Sequence, residues 1–136
     1  MRRVEPTADV ATRPRGRRGD AAPVCALRLA CQSADGDALR RLFAPDVVAV
    51  VDGGGIVRAP PDPVTGATAV VDYLLELLGE HPRRSVAEHS VNGRSGIVLH
   101  SEGRVIGIVS VGTRLDVVDE LLIVLNPEKL RAWNLG

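Results

Sequence analysis

The sequence predicts an α+β domain in which a curved antiparallel sheet carries three helices on its concave side, the whole shaped like a cone. Three observations lead there. Apolar residues recur at helical spacing only before residue 79, β-rich runs separated by two-residue turn signals occur only after residue 84, and one valine-rich strand, residues 47–51, lies between the helices. Helices segregated from a meander pack on one face of its sheet. A curved sheet of this kind encloses a space that a small ligand, the domain's own side chains or another chain can fill.

Composition sets the frame. The 136 residues, 45% of them hydrophobic, suffice for a single core without disulfides or metal. Residues 1–20 hold six arginines against Glu5, Asp9 and Asp20, net +3, which leaves −3 for the rest of a chain whose formal charge is zero. A mildly acidic body argues against direct DNA binding by the folded part, because phosphate recognition needs a clustered basic face. Residues 1–22 lack hydrophobic periodicity and are expected to form a disordered basic tail, with the domain spanning 23–136. Cys25 and Cys31, six residues apart on an expected helix, stand about 9 Å apart along its axis, too far for an unstrained disulfide, and read as free thiols. No apolar run follows Arg2 and Arg3 and no stretch is long enough to span a bilayer, so the expectation is a cytoplasmic protein away from membranes.

In chain order, residues 24–32 make a short apolar helix. Residues 34–43 make a second, capped by Asp35, with Ala38, Leu39, Leu42 and Phe43 on its inner side and Pro45 stopping it. Val47, Val48, Val50 and Val51 read as a strand covered on both faces and ended by Asp52. Gly53, Gly54 and Gly55 permit positive φ or close backbone approach, and Pro60, Pro61 and Pro63 hold the chain extended. Thr65 is placed to cap a third helix over 66–78, ended by Gly79. From Ser85 the pattern is a four-stranded meander: Asn92-Gly93 and Glu102-Gly103 mark tight turns, and residues 112–114 mark a third. The last strand runs to Asn126, where Asn-Pro-Glu starts a short helix bearing Leu130 and Trp133.

Candidate pocket residues are few. Tyr73 lies on the third helix beside apolar residues, which suits a core position with its hydroxyl at the edge. Across a two-residue turn His89 pairs with Gly96, placing His100 about 13 Å away, so the two histidines share a face but not a metal. Asp119 and Glu120 sit in the last strand, where one must face inward if the strand is regular; an enclosed carboxylate there could serve as a base. Trp133 completes the set. CxxC, HExxH, Walker and GxSxG patterns are all absent, and neither a metal nor a cofactor is implied.

Asp52-Gly53-Gly54-Gly55 at a strand end, Pro63-Val64-Thr65-Gly66, Val91-Asn92-Gly93, and the run from Val124 through Leu125, Asn126, Pro127, Glu128 and Lys129 to Leu130 together resemble the SnoaL-like extension of extracytoplasmic-function sigma factors. The resemblance covers residues 25–133 and implies a nuclear-transport-factor-2-like cone. It further implies a non-enzymatic module of transcription control, binding a protein or sensing a small ligand. Its partner would be a sigma factor core or another RNA polymerase-associated protein, met through Asp52, Gly53, Gly54, Gly55, Asn126, Pro127, Lys129 and Leu130. Family members commonly carry Lys after the glycines, where this chain has Ile56, with Arg58 the nearest cation. Cone relatives also include ketosteroid isomerases and polyketide cyclases, so the alternative is a standalone isomerase- or cyclase-like enzyme, or a carrier of a small apolar ligand. Such relatives often dimerise through the outer sheet face, and Ile97, Leu99, Ile106 and Ile108 are expected to form that face here.

Overall fold

A computed structural model describes residues 21–135. Helix α1 (Ala21–Ser33) takes in Ala21 and Ala22, so the expected tail is shorter at its end, and its remainder lies outside the described residues. Ala34 then turns the chain at φ 53°, with Asp35 N donating to Ala30 O and Ala34 N to Cys31 O, the paired bonds that close a helix through a left-handed residue. Asp35 caps α2 (Gly36–Leu42) by accepting from Ala38 N. Phe43 belongs to strand β1 (Phe43–Asp52), not to α2, and Pro45 lies within the strand, where its pairing slips.

A two-residue strand β2 (Val64–Thr65) pairs with β1, and helix α3 (Ala67–Gly79) follows. Thr65 does not cap α3: the pairing draws it into β2, and Gly66, at φ 97°, takes the cap position with no side chain to offer. The meander is β3 (Arg84–Val91), β4 (Arg94–Ser101), β5 (Arg104–Arg114) and β6 (Val117–Val124), then a helical turn α4 (Pro127–Leu130) and a 3-10 turn, Ala132–Asn134. Asn92-Gly93 and Glu102-Gly103 turn as expected, with both residues of each at positive φ. The third turn falls at Leu115-Asp116, φ 53° and 67°, while Gly112 stays in β5 beside a bulge.

The sheet order is β2-β1-β6-β5-β4-β3. Every neighbouring pair is antiparallel except β1 with β6, which run parallel. From Val47 on, β1 is enclosed on one side only: Val47 and Ala49 face the helices, whereas Val50 is 42% exposed, so this part of the strand is covered on one face and not on both. Helices α1, α2 and α3 close over one face. Leu27, Leu39, Leu78, Ile97, Leu121 and Ile123 fill the interior almost without voids, leaving a space of about 10 Å³ lined in part by Leu27, Cys31 and Leu74. Burial pushes the Cys31 thiol up to about 12, Arg84 partly opposing it, and both cysteines are free. The other sheet face is capped by α4, whose Leu130 packs with Val91, Val98, Val105 and Ile108, with Trp133 against them.

This division corrects the expected dimer face. Ile97 and Leu99 are buried under the helices and Ile106 packs against the same core, while Ile108 alone lies on the opposite face. The bulge between Leu99 and His100 breaks the alternation that had put all four together.

Three long-range side chains tie helix ends and strand ends together. Arg84 donates to Cys31 O and Gln32 O, both at 2.9 Å, and to Leu78 O and His81 O, both at 3.1 Å, so one guanidinium satisfies the last carbonyls of α1 and α3. Gln32 pairs with the edge strand β3 through Val86 N and Arg84 O. Asn134 does the same for β5, accepting from Val105 N at 2.8 Å and donating to Val105 O at 3.1 Å.

Candidate functional site: the mouth of the cone

Because β1 and β6 run parallel, they end side by side, and the segments that follow them meet. Gly53 begins a tight turn in which its carbonyl accepts from Ile56 N and Val57 N, at 3.1 and 3.0 Å. A Cβ on Gly53 would overlap the Val57 carbonyl, and one on Gly54, at φ 65°, would overlap the Asn126 side chain. Asn126 caps α4 by accepting from Glu128 N at 3.0 Å, with Pro127 at the first helical position. Asp52 joins the two segments. Its backbone oxygen accepts from Leu125 N at 2.8 Å, one carboxylate oxygen from Gly54 N at 2.9 Å, and the other from Lys129 Nζ at 2.7 Å. The hydrogen bond from Lys129, reinforced by Gly54 N and the Asn126 side chain and opposed by partial desolvation, holds the Asp52 carboxyl below its ordinary range.

Asp52, Gly53, Gly54, Gly55, Asn126, Pro127 and Lys129 thus form one assembly, although Asp52 and Lys129 are 77 residues apart in sequence. The Lys129 ammonium, which exceeds what a helix start requires, is engaged within the chain. Leu130 points away from this cluster into the apolar cap on the sheet.

Beside the clamp lies a cavity of about 940 Å³. The stretch after the glycines, from Val57 to Pro61, forms one wall; α3 supplies Tyr73, Glu76 and Leu77, and the two residues after it, Glu80 and His81; the start of β5 supplies Arg104, Val105 and Ile106; and Leu125, Pro127, Leu130 and Arg131 close the remaining side. Tyr73 is half-buried, and desolvation, then the charges of Glu80 and Glu76, raise its hydroxyl pKa, so it remains a donor at neutral pH.

Of Tyr73, His89, His100, Asp119, Glu120 and Trp133, only Tyr73 lines this cavity. His89 is exposed on the opposite sheet face, its ring 4.9 Å from that of Trp133 in an edge contact. His100 pairs with Ser85 on β3 and does not line the cavity. Asp119 is enclosed, as one of the two strand carboxylates was expected to be, but it sits near the start of β6, 3.9 Å from Arg114, whereas the cavity lies beyond the strand's far end. Glu120 is exposed. Arg104, His81, Glu76 and Glu80 escaped the sequence reading because each belongs to a different element or to an ordinary solvated helix face; the Pro60-Pro61 stretch beside Arg58 was the one signal that this wall is shaped. Among the described residues no three His, Cys, Asp or Glu side chains gather to hold a metal, and no helix is long and apolar enough to cross a membrane.

No protein-family profile matches the sequence, and no curated protein does. Solved structures do. The extracytoplasmic function sigma factor SigJ of Mycobacterium tuberculosis superposes with a TM-score of 0.65 at 22% identity, covering 83% of this chain and 44% of the sigma factor; this chain therefore spans less than half of that protein. IdmH, a putative polyketide cyclase from Streptomyces antibioticus, matches at TM-score 0.60 and 15% identity over 85% of this chain and 97% of its own. An NTF-2 like protein of unknown function from Burkholderia xenovorans matches at 0.56 and 14% identity, over 79% and 83%.

Proposed function

We propose that this chain, a domain of the nuclear-transport-factor-2-like, SnoaL-like fold, is a non-catalytic regulatory module that docks on a sigma factor core or another RNA polymerase-associated protein through its two motif segments. The observation that carries the reading is their convergence. The clamp from Asp52 to Lys129 fixes a glycine turn against a helix start and leaves Ile56, 66% exposed, at the tip of the turn. An apolar side chain displayed on a rigid, hydrogen-bonded turn is the kind of anchor that protein interfaces bury. Likeness to a sigma factor supports the class of partner.

Ile56→Glu should leave the thermal midpoint within about 2 °C, since an exposed side chain contributes little to folding, yet should abolish co-purification with the sigma factor core encoded nearest the gene. An unchanged complex would remove Ile56 from the interface, and a chain that binds no such core would remove the reading.

A second reading, a carrier or cyclase-like enzyme, is favoured by the cavity itself and by the likeness to IdmH. Its difficulty is chemical. A strand-borne base of the Asp119 kind lies away from the cavity, so an enzyme would have to enlist Glu76, Glu80 or His81 in its place. Turnover abolished by Glu76→Gln or Glu80→Gln would support it.

A further inference from the structure

We infer that the mouth cavity binds a small amphipathic acid, an apolar body ending in one carboxylate, gripped between Arg58 and Arg104. The cavity's volume of about 940 Å³ falls within the range of about 300–1,000 Å³ common for small-molecule sites. Val57, Leu77, Ile106, Leu125 and Leu130 give it apolar surface for the body of such a ligand. Its cations are the unusual part. Arg131 is already held by Glu128 at 3.0 Å, but the side chains of Arg58 and Arg104 make no ion pair or hydrogen bond among the described residues. They line one cavity from different segments, the stretch after the glycine turn and the start of β5, so one carboxylate lodged there can be met by two planar forks of donors.

The acidic groups facing the same space, Glu76 in the last turn of α3 and Glu80 at its C-terminal cap, polarise the cavity without pairing with the arginines. They set the direction in which an acid lies: carboxylate toward β5 and the proline wall, apolar body toward Leu77, with the Tyr73 hydroxyl available to donate. This inference goes beyond the docking reading and does not require it, since Ile56 does not line the cavity.

The test uses two probes with one skeleton. The anionic 8-anilinonaphthalene-1-sulfonate should bind on the order of tenfold tighter than neutral N-phenyl-1-naphthylamine, with dodecanoate displacing either and dodecylamine displacing neither at equal concentration. The Arg58→Gln, Arg104→Gln double variant should lose roughly tenfold or more in dodecanoate affinity while holding the neutral probe unchanged, which also certifies its fold. Glu76→Gln with Glu80→Gln should tighten dodecanoate. Equal affinity for both probes, preference for the amine, an unaltered double variant, or no binding of either probe would each overturn the inference, and none of these outcomes bears on co-purification with a sigma core.

Discussion

The two ends of the sheet are built from similar pieces and come to different uses. At the end where β5 turns into β6, Arg114 reaches Asp46 at 3.3 Å and Asp119 at 3.9 Å, and the strands close in the tight turns Asn92-Gly93 and Leu115-Asp116. At the other end β4 and β5 still join through Glu102-Gly103, but β1 and β6, where Lys129 meets Asp52, run out into a glycine turn and a helix start and do not join each other. Each end ties strand ends with a carboxylate and a cation. A hairpin leaves no space between its strands, whereas two parallel strands must diverge into separate segments, and the gap between those segments is the cavity. Parallel pairing of β1 with β6 therefore places the site, and it explains why a carboxylate early in β6 cannot serve it.

Substitutions at the two ends should separate accordingly. Gly53→Ala forces a Cβ into the Val57 carbonyl and should cost about 3 kcal/mol, read by denaturant melts, whereas Gly55→Ala, which meets only open space, should cost about 1 kcal/mol for its φ of 75°. Equal costs would mean that the turn yields and that the mouth is not held rigid. Arg84→Met strips a charged donor from four carbonyls where α1 and α3 end and should cost about 2 kcal/mol. A loss below about 0.5 kcal/mol would show those carbonyls to be satisfied by water. At the hairpin end Leu115 is 92% exposed at φ 53°, a conformation that suits asparagine better, so Leu115→Asn should stabilise the protein by about 1 kcal/mol. Destabilisation there would place the turn elsewhere.

Local chemistry made the fold largely readable. Asn92-Gly93 and Glu102-Gly103 announce their turns because glycine at the second position accepts positive φ freely, and Asp35 and Asn126 announce helix starts because their side chains replace missing acceptors. Leu115-Asp116 announces nothing, and Gly112 misleads: it is a paired strand residue at which a Cβ would press on Glu120, so it marks a close approach and not a turn. The valines of β1 looked enclosed on both faces because residue type cannot say what covers a sheet, and the exposure of Val50 shows that nothing described does so there.

The site was half legible. Its two motif segments stood out in sequence, but their joining depends on a parallel strand pair that no local pattern encodes, and Arg104 and His81 enter only through tertiary folding. His89 and His100 were grouped correctly on one face, yet which face lay against the helices was a matter of packing.

The clamp between Asp52 and Lys129 is the joint on which the account of the mouth depends, and the Asp52 carboxyl carbon, followed by nuclear magnetic resonance through an acid titration, reports on it directly. A folded-state pKa below the unfolded one means stability that is present above the ordinary carboxylate range and lost as pH falls through the lowered value. Asp52 should therefore titrate below the ordinary aspartate range, and in Lys129→Met it should move up toward that range while the amides of Gly54 and Asn126 shift with it. An Asp52 that titrates identically in both proteins would contradict the clamp, and with it the claim that the two motif segments act as one site.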